Sequence, residues 1–110
     1  MNEIKYDFAD IFKSQDELKY VLKELVKNDF ILELDHTWKH KRRNQKTILI
    51  TLFRVLNEKG YLKRDNSTDK VFANIAKNYF DYSITETTFY QNIGNKKFFS
   101  EFNFLNQSKA

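Results

Sequence analysis

QKTILITLFRVLNEKGY, residues 45 to 61, carries the strongest structural signal in the chain. Ile48, Leu49, Leu52, Phe53, Val55 and Leu56 recur at helical spacing, so they give a helix beginning near Asn44 or Gln45 a broad apolar face. Lys59-Gly60-Tyr61 ends it. Gly60 can enter the left-handed conformation just past the last turn, and Tyr61 or Leu62 can fold back on that turn.

Upstream, Ser14 is followed three residues on by Glu17, the signature of a capping box. Leu18, Val21, Leu22, Leu25 and Val26 then continue at helical spacing to about Lys27. Phe30-Ile31-Leu32 reads as a short strand or turn, and Tyr6, Phe8, Ile11 and Phe12 as a minor N-terminal helix or turn. Downstream, a polar loop from Lys63 to Ser67 leads to Val71, Phe72, Ile75, Ala76, Tyr79 and Phe80, a third helix capped by Ser67 or Thr68. Ser83 with Glu86 repeats the capping box and opens a fourth helix through Phe89, Tyr90 and Ile93 to Gly94. Lys96 to Leu105, with Phe99, Phe102 and Phe104, fits a short helix or an edge strand, and residues 106 to 110 are expected to fray.

With no proline and only two glycines, these segments read as helices joined by short polar links, since tight hairpins usually need more turn glycine. The expected fold is mainly all-α: a compact domain of four to five helices with a helix-turn-helix-like C-terminal half and room for short strand or hairpin elements. At 110 residues, 41% hydrophobic and 16% aromatic, the chain builds one core and one domain. That domain divides into an acidic helical part (1–35), a basic connector (36–46), a helical core (47–105) and a tail (106–110).

The absence of cysteine excludes a disulfide, a thiol nucleophile and a thiolate zinc site, and suits an intracellular protein. No apolar run approaches the roughly 18 residues of a membrane span, and MNEIKYDFAD lacks the apolar stretch of a signal peptide. The expectation is a soluble, cytoplasmic protein with no membrane partner.

Charge is distributed unevenly. Residues 1 to 35 carry five lysines against nine acids, residues 36 to 64 carry nine Lys and Arg against Glu58 alone, and residues 65 to 110 balance at five each. A basic middle beside an acidic N-terminal part calls for a negative partner: nucleic acid, an acidic protein groove, or a protein that itself holds nucleic acid. The centre of this region is HTWKHKRRNQK, His36 to Lys46, with Lys39, Lys41, Arg42, Arg43 and Lys46 and no acid. Trp38 is expected to be exposed there and to offer a flat face to a base or a partner side chain. The plainer alternative is a solvated basic loop between helices.

The pattern Lys46-x-x-Leu49-Ile50-x-Leu52-x-x-x-Leu56-x-x-x-Gly60, followed by Ile75-Ala76-x-x-x-Phe80 and Phe89-Tyr90, resembles the C-terminal domain of the RteC family, regulators of conjugative-transposon excision. The likeness runs from about Trp38 to Phe99 and rests mostly on core positions. It implies a helical domain with a helix-turn-helix used on DNA, of a kind also found in short mobile-element proteins. In the RteC pattern a tryptophan stands close before the helix lysine, whereas HKRRNQ, residues 40 to 45, intervenes here and looks like an insertion. Much of the larger family's N-terminal region has no counterpart.

On that implication Ile75, Ala76 and Phe80 belong to a supporting helix and Thr88-Phe89-Tyr90-Gln91-Asn92 to a recognition helix. Thr87, Thr88, Gln91 and Asn92 would then reach base edges while Phe89 and Ile93 face the core. The spacing from Ala76 to Thr88 exceeds that of the compact motif, which asks for a loose turn at Asp81-Tyr82-Ser83. Phosphate contacts would come from Lys39 to Lys46, Arg54, Lys63 and Arg64. The competing reading is two ordinary core helices with polar outer faces.

Catalysis finds no comparable pattern. His36 and His40 stand four apart, but no H-E-x-x-H frame and no third ligand accompany them, and the surrounding cations oppose a metal. There is no glycine-rich phosphate loop or nucleophile elbow. No catalytic residue, metal or cofactor is expected. Two functions of different class remain: a small DNA- or RNA-binding regulator of a mobile element, or a phage- or element-encoded inhibitor of host defence, of anti-CRISPR type, aimed at an RNA-guided nuclease. For the second, Trp38, Tyr82 and Tyr90 are the candidate anchors, with Arg42 and Arg43 as charged contacts.

Overall fold

The helix at residues 45 to 58 organises everything else. In the protein's structure, a computed structural model that describes residues 5–39, 45–63, 68–92 and 96–108, the chain runs through a 3-10 turn at Phe8–Ile11, α1 (Gln15–Lys27), α2 (Gln45–Glu58), α3 (Asp69–Asn78), α4 (Glu86–Gln91) and a 3-10 turn at Phe99–Phe102. The fold is all-α. Pairing between extended segments, among the described residues, is confined to two isolated antiparallel bridges, Phe12 with Leu62 and Ile31 with Trp38.

α2 is more than amphipathic. Every residue from Ile48 to Phe53 is buried, as are Val55 and Leu56, so the middle of the helix is covered on all sides. Its end forms as its sequence directs: Gly60 sits at φ +84, its N–H reaches Asn57 O, and the Tyr61 N–H reaches Leu56 O. α1 ends in the same motif with Asp29 at φ +68 in the glycine position, the Phe30 N–H bonding Leu25 O.

An aromatic cluster fills the space around α2. Phe53 stacks on Phe72 at 4.8 Å between ring centroids and meets Phe89 edge-on at 5.6 Å. Phe8 from the first turn contacts Phe12, Phe53 and Phe80, which ties the N-terminal segment to α2 and the end of α3. Segments 11–13 and 61–63 are sewn together by Lys13 N–H to Tyr61 O and Lys63 N–H to Ile11 O. α3 packs on α4, and the final 3-10 turn packs on α2 with Phe102 and Leu105 buried. The segment from Lys96 to Leu105 therefore takes the short-helix alternative, as a 3-10 helix, and is not an edge strand.

Two caps differ from expectation. Ser14 is the N-cap of α1 but its side chain makes no capping hydrogen bond, and Glu17 instead accepts from the Ser108 hydroxyl at 2.8 Å. α4 is capped by Thr85, whose side chain accepts from the Thr88 N–H, and not by Ser83. Starting two residues later, α4 is only six residues long and closes at Asn92; the expected stop at Ile93-Gly94 lies outside the described residues. Thr68 caps α3, and Ser67 lies outside the described residues. The tail does not fray as expected through its first three residues: Tyr61 donates to Asn106 O, Gln107 Nε2 to Lys59 O and the Ser108 N–H to Lys59 O.

Candidate functional site

The basic stretch is entered through a small hairpin. Phe30-Ile31 and Trp38-Lys39 are brought side by side by Leu32 N–H to Thr37 O and Lys39 N–H to Phe30 O. The turn between them closes because His36 accepts φ +60 and the Thr37 N–H bonds the Asp35 carboxylate at 3.0 Å. That amide bond is the main reason the exposed Asp35 carboxyl is held below its ordinary value. His36 Nδ1 lies 2.6 Å from the Tyr79 hydroxyl, which burial, with the Asp7 charge, pushes up to about 12, so this phenol keeps its proton at neutral pH. His40 lies outside the described residues.

Trp38 is the main correction. It is 0% exposed, not an open platform. Its backbone N–H bonds Phe80 O, its ring lies 5.6 Å from Phe30 and 5.8 Å from Phe80, and its indole N–H donates to Gln45 Oε1 at 2.8 Å. A signal for this was present: the apolar Phe30-Ile31 pair and Trp38 flank a short, largely polar stretch, as the arms of a hairpin do. The largest side chain of the chain also has the most to gain from joining the core.

The Trp38–Gln45 bond defines the site. It joins two residues seven apart, both buried, and so holds Trp38 and Gln45, which flank positions 39–44 in the sequence, on the core. The expected connector 36–46 thus begins in the hairpin and ends inside α2, which already includes Gln45 and Lys46. Lys41, Arg42 and Arg43 lie outside the described residues. Lys39 ion-pairs with Asp29, so its charge is offset. Lys46 is exposed on the first turn of α2. That first turn holds no acid, whereas α1 begins with Asp16 and Glu17, α3 with Asp69 and α4 with Glu86. The positive end of the α2 dipole is therefore not offset by an acid of its own first turn.

Other expected contacts separate. Arg54 is turned inward: one Nη donates to Asp69 Oδ1 and to Phe89 O, each at 2.9 Å, and its buried Nε has no protein partner. It clamps α2 to α3 and α4 and is not free for phosphate. Lys63 is exposed, but it follows the far end of α2, a helix about 20 Å long, from Lys46; Arg64 lies outside the described residues. On α4, Thr87 and Gln91 are exposed, whereas Thr88 shares a hydroxyl bond with Thr85 at 2.8 Å and Asn92 Nδ2 caps Thr88 O at 2.8 Å. Half of the four expected base readers are thus occupied in holding the helix. Ile75, Ala76, Phe80 and Phe89 are buried, as a supporting helix and the inner face of its partner require.

Among the described residues three exposed large apolar side chains stand out: Leu32 at 43%, Leu34 at 97% and Tyr90 at 68%. Two of them lie in the hairpin turn, and Tyr82 is half-buried. Among the described residues no three His, Cys, Asp or Glu side chains are grouped to hold a metal ion, and no helix is long and apolar enough to cross a membrane. No family model, curated protein or solved structure matches the chain.

Proposed function

We propose that this chain is a non-enzymatic nucleic-acid-binding regulator of a mobile element, working in the cytoplasm and gripping phosphates with residues 39–46. The observation that carries this is a coincidence of charge and anchorage. The most basic stretch of the sequence leads directly into the one α-helix, of the four described, whose first turn lacks an acid, and the flanking residues Trp38 and Gln45 are joined by a buried hydrogen bond. Phosphate oxygens favour such a helix end. The likeness of α2 to α4 to the RteC C-terminal domain supports the mobile-element setting. Thr87 and Gln91, exposed on α4, are the residues left for reading bases.

Binding should fall steeply with salt, and Arg42→Ala with Arg43→Ala should flatten the slope of log K against log salt by about 1 per lost phosphate contact. A mobility-shift series on duplex and single strands at several salt concentrations checks this. Failure to shift any strand at low salt would sink the proposal. A second reading, an inhibitor of host defence of anti-CRISPR type that binds an RNA-guided nuclease, draws on Leu34, exposed at the tip of a braced turn, and on Tyr90. A pull-down with and without nuclease separates the two: a protein partner retained after nuclease treatment, and lost on Leu34→Asp, favours the inhibitor.

A further inference from the structure

The tip of the hairpin carries an apolar side chain that the fold leaves outside. Leu34 is 97% exposed and stands between Glu33 and Asp35, which are exposed as well. A single exposed leucine is ordinary on a protein surface. This one is held out on a stiff support: the His36 N–H bonds Leu32 O at 2.8 Å, the Thr37 N–H bonds the Asp35 carboxylate, and His36 Nδ1 meets the Tyr79 hydroxyl. A tip fixed in advance loses little freedom when it docks.

Beside the tip lies a groove of about 260 Å³ shared between the hairpin turn and α1. Leu22 and Val26 of α1, both half-buried, are its apolar members; Lys23 stands on the same side, and Glu33 and His36 border it from the turn. The volume falls below the range of about 300–1,000 Å³ usual for small-ligand sites, yet it admits one apolar side chain. Leu34 sits in the sequence between two of the lining residues and, at 97% exposure, does not fill the groove of its own chain.

Charge complements the shape. Lys23 is the charge that α1 brings to the groove, and Glu33 and Asp35 flank the leucine of the tip. Among the described residues neither Lys23 nor Glu33 is in an ion pair. A leucine between two acids therefore matches an apolar groove edged by a lysine, and this chain carries both within a few residues of each other. With knob and hole on one face, a two-fold axis lets each copy seat Leu34 in the other's groove, its Glu33 against the other's Lys23. Such a contact is made twice and closes at two copies instead of propagating.

We propose that the face formed by the hairpin tip and the Leu22–Val26 groove docks a second copy of this chain as a two-fold dimer, whether or not nucleic acid is bound. A patch of this size makes a weak, reversible contact. Sedimentation velocity of the full chain, from about 10 μM to about 1 mM, should therefore show the mass rising from 13.3 kDa toward twice that value and no further. Leu34→Asp should leave a monomer throughout, and Leu34→Met should still associate. Lys23→Glu and Glu33→Lys should each weaken association about tenfold, and the two reversals together should restore most of it. Lys70→Glu, an equal change of charge on the exposed side of α3, should have no effect. Lys23, Glu33, Leu34 and Lys70 are all exposed, so every variant should fold, which far-UV circular dichroism verifies. A chain that stays monomeric to about 1 mM, association that survives Leu34→Asp, losses that add in the double reversal, or growth beyond two copies would overturn the proposal.

Discussion

Trp38 is the residue on which the local architecture turns. It ties the hairpin to the end of α3 through Phe80 and to the start of α2 through Gln45. Trp38→Ala should cost about 3–5 kcal/mol, the range for emptying a large aromatic site, read from urea denaturation. Trp38→Phe should cost less but still about 1–3 kcal/mol, because Gln45, 8% exposed, loses its donor. The intrinsic fluorescence of Trp38 should be that of a buried indole and should not be quenched by stacking when a single strand is added; strong quenching at low salt would restore the platform reading. Arg54 teaches a related lesson. Its charge counted toward the basic middle of the chain, yet its side chain is an internal brace between three helices.

At the scale of elements, periodic apolar spacing located all four helices, because a helix that must bury one side declares it every three or four residues. Their ends were less legible where two polar residues competed for the same cap. Thr85 takes the N-cap of α4 in place of Ser83, and the intervening Ile84 is buried, so the chain must first turn that side chain inward before the helix can begin. Thr85→Ala should therefore destabilise the protein by about 1 kcal/mol while Ser83→Ala, at an exposed site outside the helix, stays within about 0.5 kcal/mol of zero. Thermal denaturation of both variants checks the pair, and the opposite order would return the cap to Ser83. The hairpin at 30–39 escaped a firm reading because left-handed residues other than glycine, Asp29 at the end of α1 just before it and His36 in its turn, stand where a sequence pattern looks for glycine.

Across the whole molecule, two tyrosines from different segments of the chain share one consequence. Tyr61 and Tyr79 are both pushed up to about 12, mainly by burial. Each raised value means that the neutral phenol is favoured in the folded state, so this stabilisation is intact below pH 10 and is lost between about 10 and 12. A spectrophotometric titration at 295 nm should show part of the six-tyrosine signal arriving late, together with loss of helical ellipticity; six ordinary phenols titrating before any unfolding would contradict it. The sequence by itself determined the helical class, the central place of residues 45–58, the Gly60 stop and the concentration of positive charge at 36–64, because periodicity, backbone conformation and net charge are properties of neighbouring residues. Only the tertiary structure decided which of those residues are available. Burial of Trp38, the inward clamp of Arg54, the Asp29 partner of Lys39 and the fastening of residues 106–108 all depend on groups 7 to 91 positions away in the chain, and no local pattern encodes which distant side chain will arrive.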